Sequence, residues 1–593
     1  MTGNPRPRGR LAPALALGVI LASVTLLYAL RVEHLADTDP RIDQAYHTVM
    51  VQDLRRSSHL LPVAETGQEF LEALQADSSS LLHNLFRRAY NQPYQLFRFA
   101  NLGLYYLLGS WYGESFRAMV SIGILGSAAA VLFLSLIPLS LCVVEPRRRR
   151  VHLLASLLTL AFASGSFYLN YFSALGAHNV AIALVLANLL ATVWAYPPRS
   201  PDPLVARRAS WTVLFVFGLT WLFAVYSYYL LTWLVVPACL AQIVAARGRS
   251  AAAKPILGHL FFYGLGVLPA ALGIAVLLVR GVSPAVDTAI GLGAGAISFS
   301  PGGLWSRGAD FFVHGSQLLS APGLFAALAG LFTLARMGVV FPLVFIAGFF
   351  ALTLGTRVGT NAWLRAIPYA TPMLLLGIAY FTSASIVGAA AALRGSDGSP
   401  RKRAGTLLLG ALALLCAVSY VGHQAGPLLS VDRLCVRVPH FCQEYVEGES
   451  LRPVLLEVEG ALPRGAVVVS DDYPLHHLYR ALSRRDDLIL IRPLDSLWGQ
   501  LQHGSLRDYA AERGLRRPDT SLFLLSHESE ESELRGRAWA VFGPAGLGWI
   551  GPDAVLERLT LRDTGTQVYG TVALWSLSPS RNKEDTPQKK RAD

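Results

Sequence analysis

Charge is scarce in this chain. Asp, Glu, Lys and Arg make up only 15% of its 593 residues, against 53% hydrophobic residues. That is too little charge to cover the surface of a soluble globular protein of this length. Other signatures are missing too. No Walker loop is present to cradle nucleotide phosphates, which disfavours an ATP-driven pump. No Cys/His arrangement has structural-zinc spacing. Ser526-His527-Glu528 lacks a nucleophile-elbow pattern, so a hydrolase triad has no support. Cysteine is rare, with five in all. Cys142, Cys239 and Cys416 fall in apolar runs and read as packing residues. Cys435 and Cys442 lie close together beyond the last run, and in an oxidising compartment they suit a disulfide at the entry to the C-terminal region.

What is present is a series of long apolar runs separated by short basic clusters. The formal charge of +12 is therefore dispersed rather than gathered on one patch, and nucleic acid is not an expected partner. The clusters are Arg6 with Arg8 and Arg10, Arg147 to Arg150, Arg199 with Arg207 and Arg208, Arg247 with Arg249 and Lys254, and Arg394 with Arg401 to Arg403. Under the positive-inside rule they are cytoplasmic. Eleven spans satisfy all of them: 11–30, 119–144, 153–169, 180–196, 211–226, 229–245, 256–279, 319–334, 339–354, 367–391 and 404–421. The expected fold class is a polytopic α-helical membrane protein of about 11 spans, with an extracytoplasmic α/β domain at its C-terminus. The N-terminus is expected in the cytoplasm of a plasma-membrane protein. The first span has a basic flank, but no small-x-small cleavage site follows it, so it reads as an anchor and not a signal peptide.

The expected organisation is a first helix at 1–30, an outer loop at 31–117, a multi-span region at 118–425, an outer α/β domain at 426–580 and a disordered tail at 581–593. In the outer loop, 65–74 and 80–90 have the apolar spacing of surface-lying helices. In the C-terminal region, 466–470, 488–491, 522–525, 539–542 and 568–575 read as strands. Helical patterns lie between them at 453–462, 475–484, 501–513 and 553–559, and such alternation predicts a largely parallel sheet.

Chemistry gathers near the outer ends of the spans. Asp37 and Asp39 follow the first span directly, where carboxylates can accept a proton or hold Mg²⁺ or Mn²⁺; they also fit an ordinary acidic loop. Arg357 and Arg365 lie outside against the charge trend, suited to a phosphate or to lipid head groups. His178 begins the fourth span, and His314 closes a glycine-rich loop; either can contact a sugar or serve packing. Ser470-Asp471-Asp472-Tyr473 follows a predicted strand, the usual place for ligands in α/β sheets, but helix capping explains it equally.

Two passages carry a family resemblance. Asn91-Gln92-Pro93-Tyr94, then Leu104-Tyr105-Tyr106-Leu107-Leu108-Gly109, then Tyr112-Gly113-Glu114-Ser115-Phe116-Arg117 resembles a run in the polytopic GT-C glycosyltransferases, of the protein-mannosyltransferase-like, dolichyl-phosphate-mannose-dependent type. Arg365-Ala366-Ile367-Pro368-Tyr369-Ala370-Thr371-Pro372 is similar to their outer element near the last spans. The resemblance implies sugar transfer from a polyprenyl-phosphate donor to an extracytoplasmic glycan, lipid or protein acceptor. It implies an acidic residue after the first span, matched by Asp37 or Asp39, and substrate contacts at Pro93, Tyr94, Arg365 and Tyr369. The paired acids before Pro-Tyr found in one subfamily are absent here, as is the Trp-Trp-Asp motif of oligosaccharyltransferases. The competing class is non-enzymatic: a lipid or polysaccharide transporter, which would carry internal repeats and mid-membrane polar residues, or an assembly factor whose external domain binds a partner.

Overall fold

The computed structural model of the chain describes residues 8–36, 115–166, 169, 177–198, 234–279, 301–355, 360–394, 399–429, 451–483, 485, 487–491, 494–502, 506, 522–527, 531–563 and 570–578. They fall into two units, an all-helical one up to Leu429 and an α/β one from Leu451.

The helical unit comprises α1 (Arg8–Ala36), α2 (Ser115–Val144), α3 (Arg149–Ser164), α4 (Ala177–Ala195), α5 (Val235–Arg247), α6 (Arg249–Val279), α7 (Pro301–Leu319), α8 (Ala321–Arg336), α9 (Phe341–Gly355), α10 (Thr360–Leu393) and α11 (Pro400–Leu429). Among the described residues, α1, α2, α10 and α11 are long and apolar enough to cross a membrane, and the bent pair α7–α8 counts as a fifth at most. The apolar stretches of α4, α5 and α9 are shorter. The expected span at 211–226 lies outside the described residues. The expected span at 319–334 matches α8 to within two residues at each end, and it is preceded by a second helix: Phe311–Leu319 of α7 meets Ala321–Arg336 at 103° across Ser320. Ser320 has φ of +63° and caps α8 by accepting from the Gly323 amide at 3.2 Å.

Helix α1 buries Ala16, Ile20 and Val24 at four-residue spacing and exposes Leu11, Leu15, Leu26 and Leu30. This is a one-sided packing stripe on an otherwise lipid-compatible helix. Small residues draw the other helices together. A Cβ on Gly126 of α2 would lie 2.8 Å from the Val180 amide nitrogen of α4. A Cβ on Gly330 of α8 would come within 1.7 Å of the Gly377 carbonyl oxygen of α10, so those two backbones touch. Polar side chains reinforce the seams. His152 of α3 lies 2.9 Å from the Tyr380 hydroxyl of α10 and 3.4 Å from Glu145. Tyr420 of α11 donates to the Phe162 carbonyl at 3.0 Å.

The α/β unit runs α12 (Leu451–Gly460), β1 (Val467–Ser470), α13 (Tyr473–Leu482), β2 (Ile489–Leu490), α14 (Leu494–Gln502), β3 (Leu522–His527), α15 (Glu531–Phe542), β4 (Val555–Asp563) and β5 (Thr571–Ser578). Strand order is β2-β1-β3-β5-β4. The sheet is mixed and not largely parallel: β2, β1 and β3 are parallel, whereas β5 and β4 are antiparallel. Two elements differ in kind from the expectation. Trp539–Phe542, rich in strand-forming residues, is the last turn of α15, because Leu534, Ala538, Val541 and Phe542 form one buried helical stripe. The expected helix at 553–559 is strand β4, where Arg558 pairs Trp575 and Thr560 pairs Leu574, leaving Leu559 as a bulge. The extra residue breaks strict alternation and gives Val555, Leu556 and Leu559 a helix-like spacing. The helix expected at 501–513 starts earlier, as α14, and most of its expected range lies outside the described residues. Apolar clusters fill both faces of the sheet.

Candidate functional site

Two places carry polar chemistry. The first is the α10 seam. Helix α10 is held against α8 by the Gly330–Gly377 contact, and its Tyr369, Ala370, Thr371, Met373 and Leu374 are all buried. Arg365 sits one turn before Tyr369 on the same helix. His178 lies in the first turn of α4 beside Asn179, whose amide donates to the Gly123 carbonyl of α2 at 2.7 Å. Asn179 thus serves helix packing. His314, expected to close a glycine-rich loop, instead lies within helix α7, because the second half of that stretch is helical. Asp37, Asp39, Pro93, Tyr94, Arg357, Cys435 and Cys442 lie outside the described residues.

The second place is the C-terminal edge of β1 and β3. After β1 the chain turns to β2 on one side, and β3 pairs with β1 on the other, so the crevice between their ends is a topological switch point. Asp471 and Asp472 leave β1 there, and His527 ends β3. Asp472 caps α13 by accepting from the Leu475 amide at 2.8 Å, and its other oxygen lies 3.2 Å from His527 Nε2. Asp471 is 8% exposed and pairs with Arg537 of α15 at 2.8 Å. That contact is ionic without hydrogen-bond alignment. Burial consequently outweighs the arginine's pull, and the Asp471 carboxyl is held above its ordinary range, with neighbouring Asp472 adding to the rise. The Asp495 amide donates to the Asp471 carbonyl at 3.0 Å and ties α14 to the same point. Of the two accounts of Asp471-Asp472, capping is directly seen at Asp472. Sequence reasoning met Asp471-Asp472 and His527 as two separate features, because only strand order brings them together. It missed Arg537, which shows in the sequence only as one of several charges on α15.

Among the described residues, no three His, Cys, Asp or Glu side chains are grouped to hold a metal ion. In the sheet unit, remaining ion pairs are peripheral. Arg562 pairs with Glu457 and holds its carboxyl below the usual range, and Arg485 does the same to Asp487 while donating to the Leu462 carbonyl at 2.6 Å.

No protein-family profile and no curated relative matches the sequence. Solved structures do. The chain is similar to the archaeal oligosaccharyltransferase AglB from Archaeoglobus fulgidus, solved with an inhibitory peptide and a dolichol-phosphate, with TM-score 0.50 and 13% identity, over 97% of this chain and 75% of that one. It is also similar to ArnT from Cupriavidus metallidurans, solved with undecaprenyl phosphate, with TM-score 0.49 and 10% identity, over 94% of this chain and 97% of that one. At such identities the likeness is one of fold.

Proposed function

We propose that this chain, which carries the GT-C membrane fold, transfers a sugar from a polyprenyl-phosphate donor to an acceptor presented outside the cytoplasm. The observation that carries the reading is the fold shared along 97% of the chain with a protein solved on a dolichol-phosphate. Two sequence features support it: an acidic pair directly after the first span, and Arg365 one turn before Tyr369 at the start of α10.

In this reading the acceptor hydroxyl attacks the anomeric carbon, and the bond from that carbon to the phosphate oxygen breaks with inversion. The acceptor proton passes to Asp39, with Asp37 as the alternate base. Arg365 and Arg357 offset the negative charge left on the polyprenyl phosphate, their planar forks matching two phosphate oxygens. Tyr369, His178, Pro93 and Tyr94 contribute substrate contacts. The donor's prenyl chain lies among membrane lipids, and the C-terminal α/β unit lies on the acceptor side. No step requires a metal, although Asp37 and Asp39 are the residues that would hold Mg²⁺ or Mn²⁺.

The test is transfer from polyprenyl-phosphate-linked sugars by purified protein. Asp39→Asn keeps shape but removes basicity, and turnover should fall by roughly 10² to 10⁴ with donor binding intact. Asp37→Asn should cost less. Equal, severe losses reversed by Mn²⁺ would reassign the pair to metal binding, and full activity in the double variant would refute the mechanism.

A further inference from the structure

The outward side of α15 carries a constellation that the transfer reaction does not use. Glu531, Ser532, Arg535, Gly536 and Trp539 stand at i, i+1, i+4, i+5 and i+8, so they share one stripe of the helix beside its buried stripe. With Pro552, from the turn before β4, they line an open groove of about 710 Å³. Trp539 rests partly on the sheet's core, which fixes its ring, and the Arg535 guanidinium lies 5.9 Å from the ring centroid. Glu531, Ser532, Arg535 and Gly536 are exposed.

Gly536 is the unexplained member. Glycine weakens a helix interior relative to alanine, so it needs a reason to be there. Its φ is not positive, and a Cβ added to it would meet nothing within 4 Å. Neither backbone conformation nor packing demands it. What the missing methyl leaves is bare, exposed backbone in the lining of the groove, where a ligand can approach closely.

We propose that this groove is a saccharide-binding subsite for a neutral glycan. One acid and one base offset each other, so the lining favours neither a phosphate, which would draw several cations, nor a cation. A sugar hydroxyl both donates and accepts. The Glu531 carboxylate, Ser532 hydroxyl and Arg535 guanidinium together offer both roles along the rim. The apolar face of a sugar ring lies against Trp539, with its edge over Gly536. An aromatic surface with a few polar groups is the common form of a small-ligand site. Binding here is non-covalent and does not depend on the transferase reading.

The probes are short neutral oligosaccharides of hexose, pentose or N-acetylhexosamine units, with phosphorylated sugars and an unrelated peptide as comparisons. Binding to the full-length protein in detergent is read by saturation-transfer NMR and calorimetry. At least one neutral class should bind at millimolar concentration or below. Gly536→Ala should raise the melting temperature of the sheet unit by about 2–4 °C, as a helix glycine-to-alanine change does where nothing clashes. The same variant should weaken saccharide binding by about tenfold, because the new methyl occupies the ligand's place. Trp539→Leu should abolish binding. Stabilisation by Gly536→Ala with unchanged affinity would overturn the proposal. So would the absence of binding by every neutral probe, or binding only of the phosphorylated sugars or the peptide.

Discussion

Replacing Gly330 by alanine tests the seam on which the candidate donor site depends. The added Cβ would lie 1.7 Å from the Gly377 carbonyl oxygen and 2.4 Å from its carbonyl carbon. Both are backbone atoms, so no rotamer change can relieve the overlap, and α8 and α10 must part. Restoring ordinary contact requires a separation of roughly 1–2 Å along the seam, where a gap of 0.5–1 Å already forfeits a quarter to a half of each dispersion contact. Overpacking of this kind costs about 1–3 kcal/mol, and the backbone partner places Gly330→Ala at or above the upper end. Because α10 also carries Arg365 and Tyr369, a shift of about 1 Å in its position should lower transfer by roughly 10². The assay is thermal unfolding of detergent-purified protein together with turnover. The control is Gly258→Ala, where a Cβ meets nothing within 4 Å. If the two variants melt at the same temperature, helix contact at Gly330 does not hold the unit together, and the reasoning fails.

Arg365→Ala should cost about 2–5 kcal/mol in donor use if a buried charge pair is lost, and Arg365→Lys less, because lysine keeps charge without the planar fork; unchanged donor binding in the alanine variant would reduce Arg365 to a lipid contact. In the sheet unit, Asp471 has a raised carboxyl pKa, so its contribution to stability is full below its unfolded value near 3.8 and declines as pH rises through the folded value. Arg537→Gln removes the cation that favours the charged form, and should make 451–578 more protease-sensitive at pH 7.5 than at pH 4.5, by about 1–3 kcal/mol for a partly buried carboxylate left without its partner; an equal effect at both pH values would contradict the pairing. Cys435 and Cys442 should be joined in oxidising membrane preparations, and mass spectrometry finding two free thiols would reject this.

The long helices were legible because apolar runs and basic clusters alternate with little ambiguity. Helices α1, α2, α10 and α11 all include the ranges read from the sequence. The start of α8 was legible to within two residues, but helix α7 was not, since a glycine-rich stretch running up to Gln317 reads as a loop. In the α/β unit, the positions of β1, β2, β3 and β5 follow from short β-branched or leucine-rich runs between turns. Strand β4 was misread because one bulged residue shifts its phase, and the end of α15 because Trp, Val and Phe favour strands locally while a buried stripe of four residues keeps them helical. The switch-point pairing of Asp471 with Arg537 and Asp472 with His527 depends on strand order, which one-dimensional pattern cannot supply. Gly536 was visible in the sequence, but its lack of any packing reason was not.

The elbow between α7 and α8 has a consequence for biogenesis. Where the helix breaks, the carbonyls of Gln317 and Leu318 are received by His423 and Gln424 of α11, and Ser419 donates to Ser320 at 3.0 Å. Broken backbone within an apolar setting persists only where protein groups satisfy it. Those groups belong to the last helix of the unit, Pro400–Leu429, which leaves the ribosome well after the elbow itself. The elbow's carbonyls therefore gain these partners only once α11 is in place. The last helix of the unit thus supplies the donors that an elbow far upstream in sequence lacks.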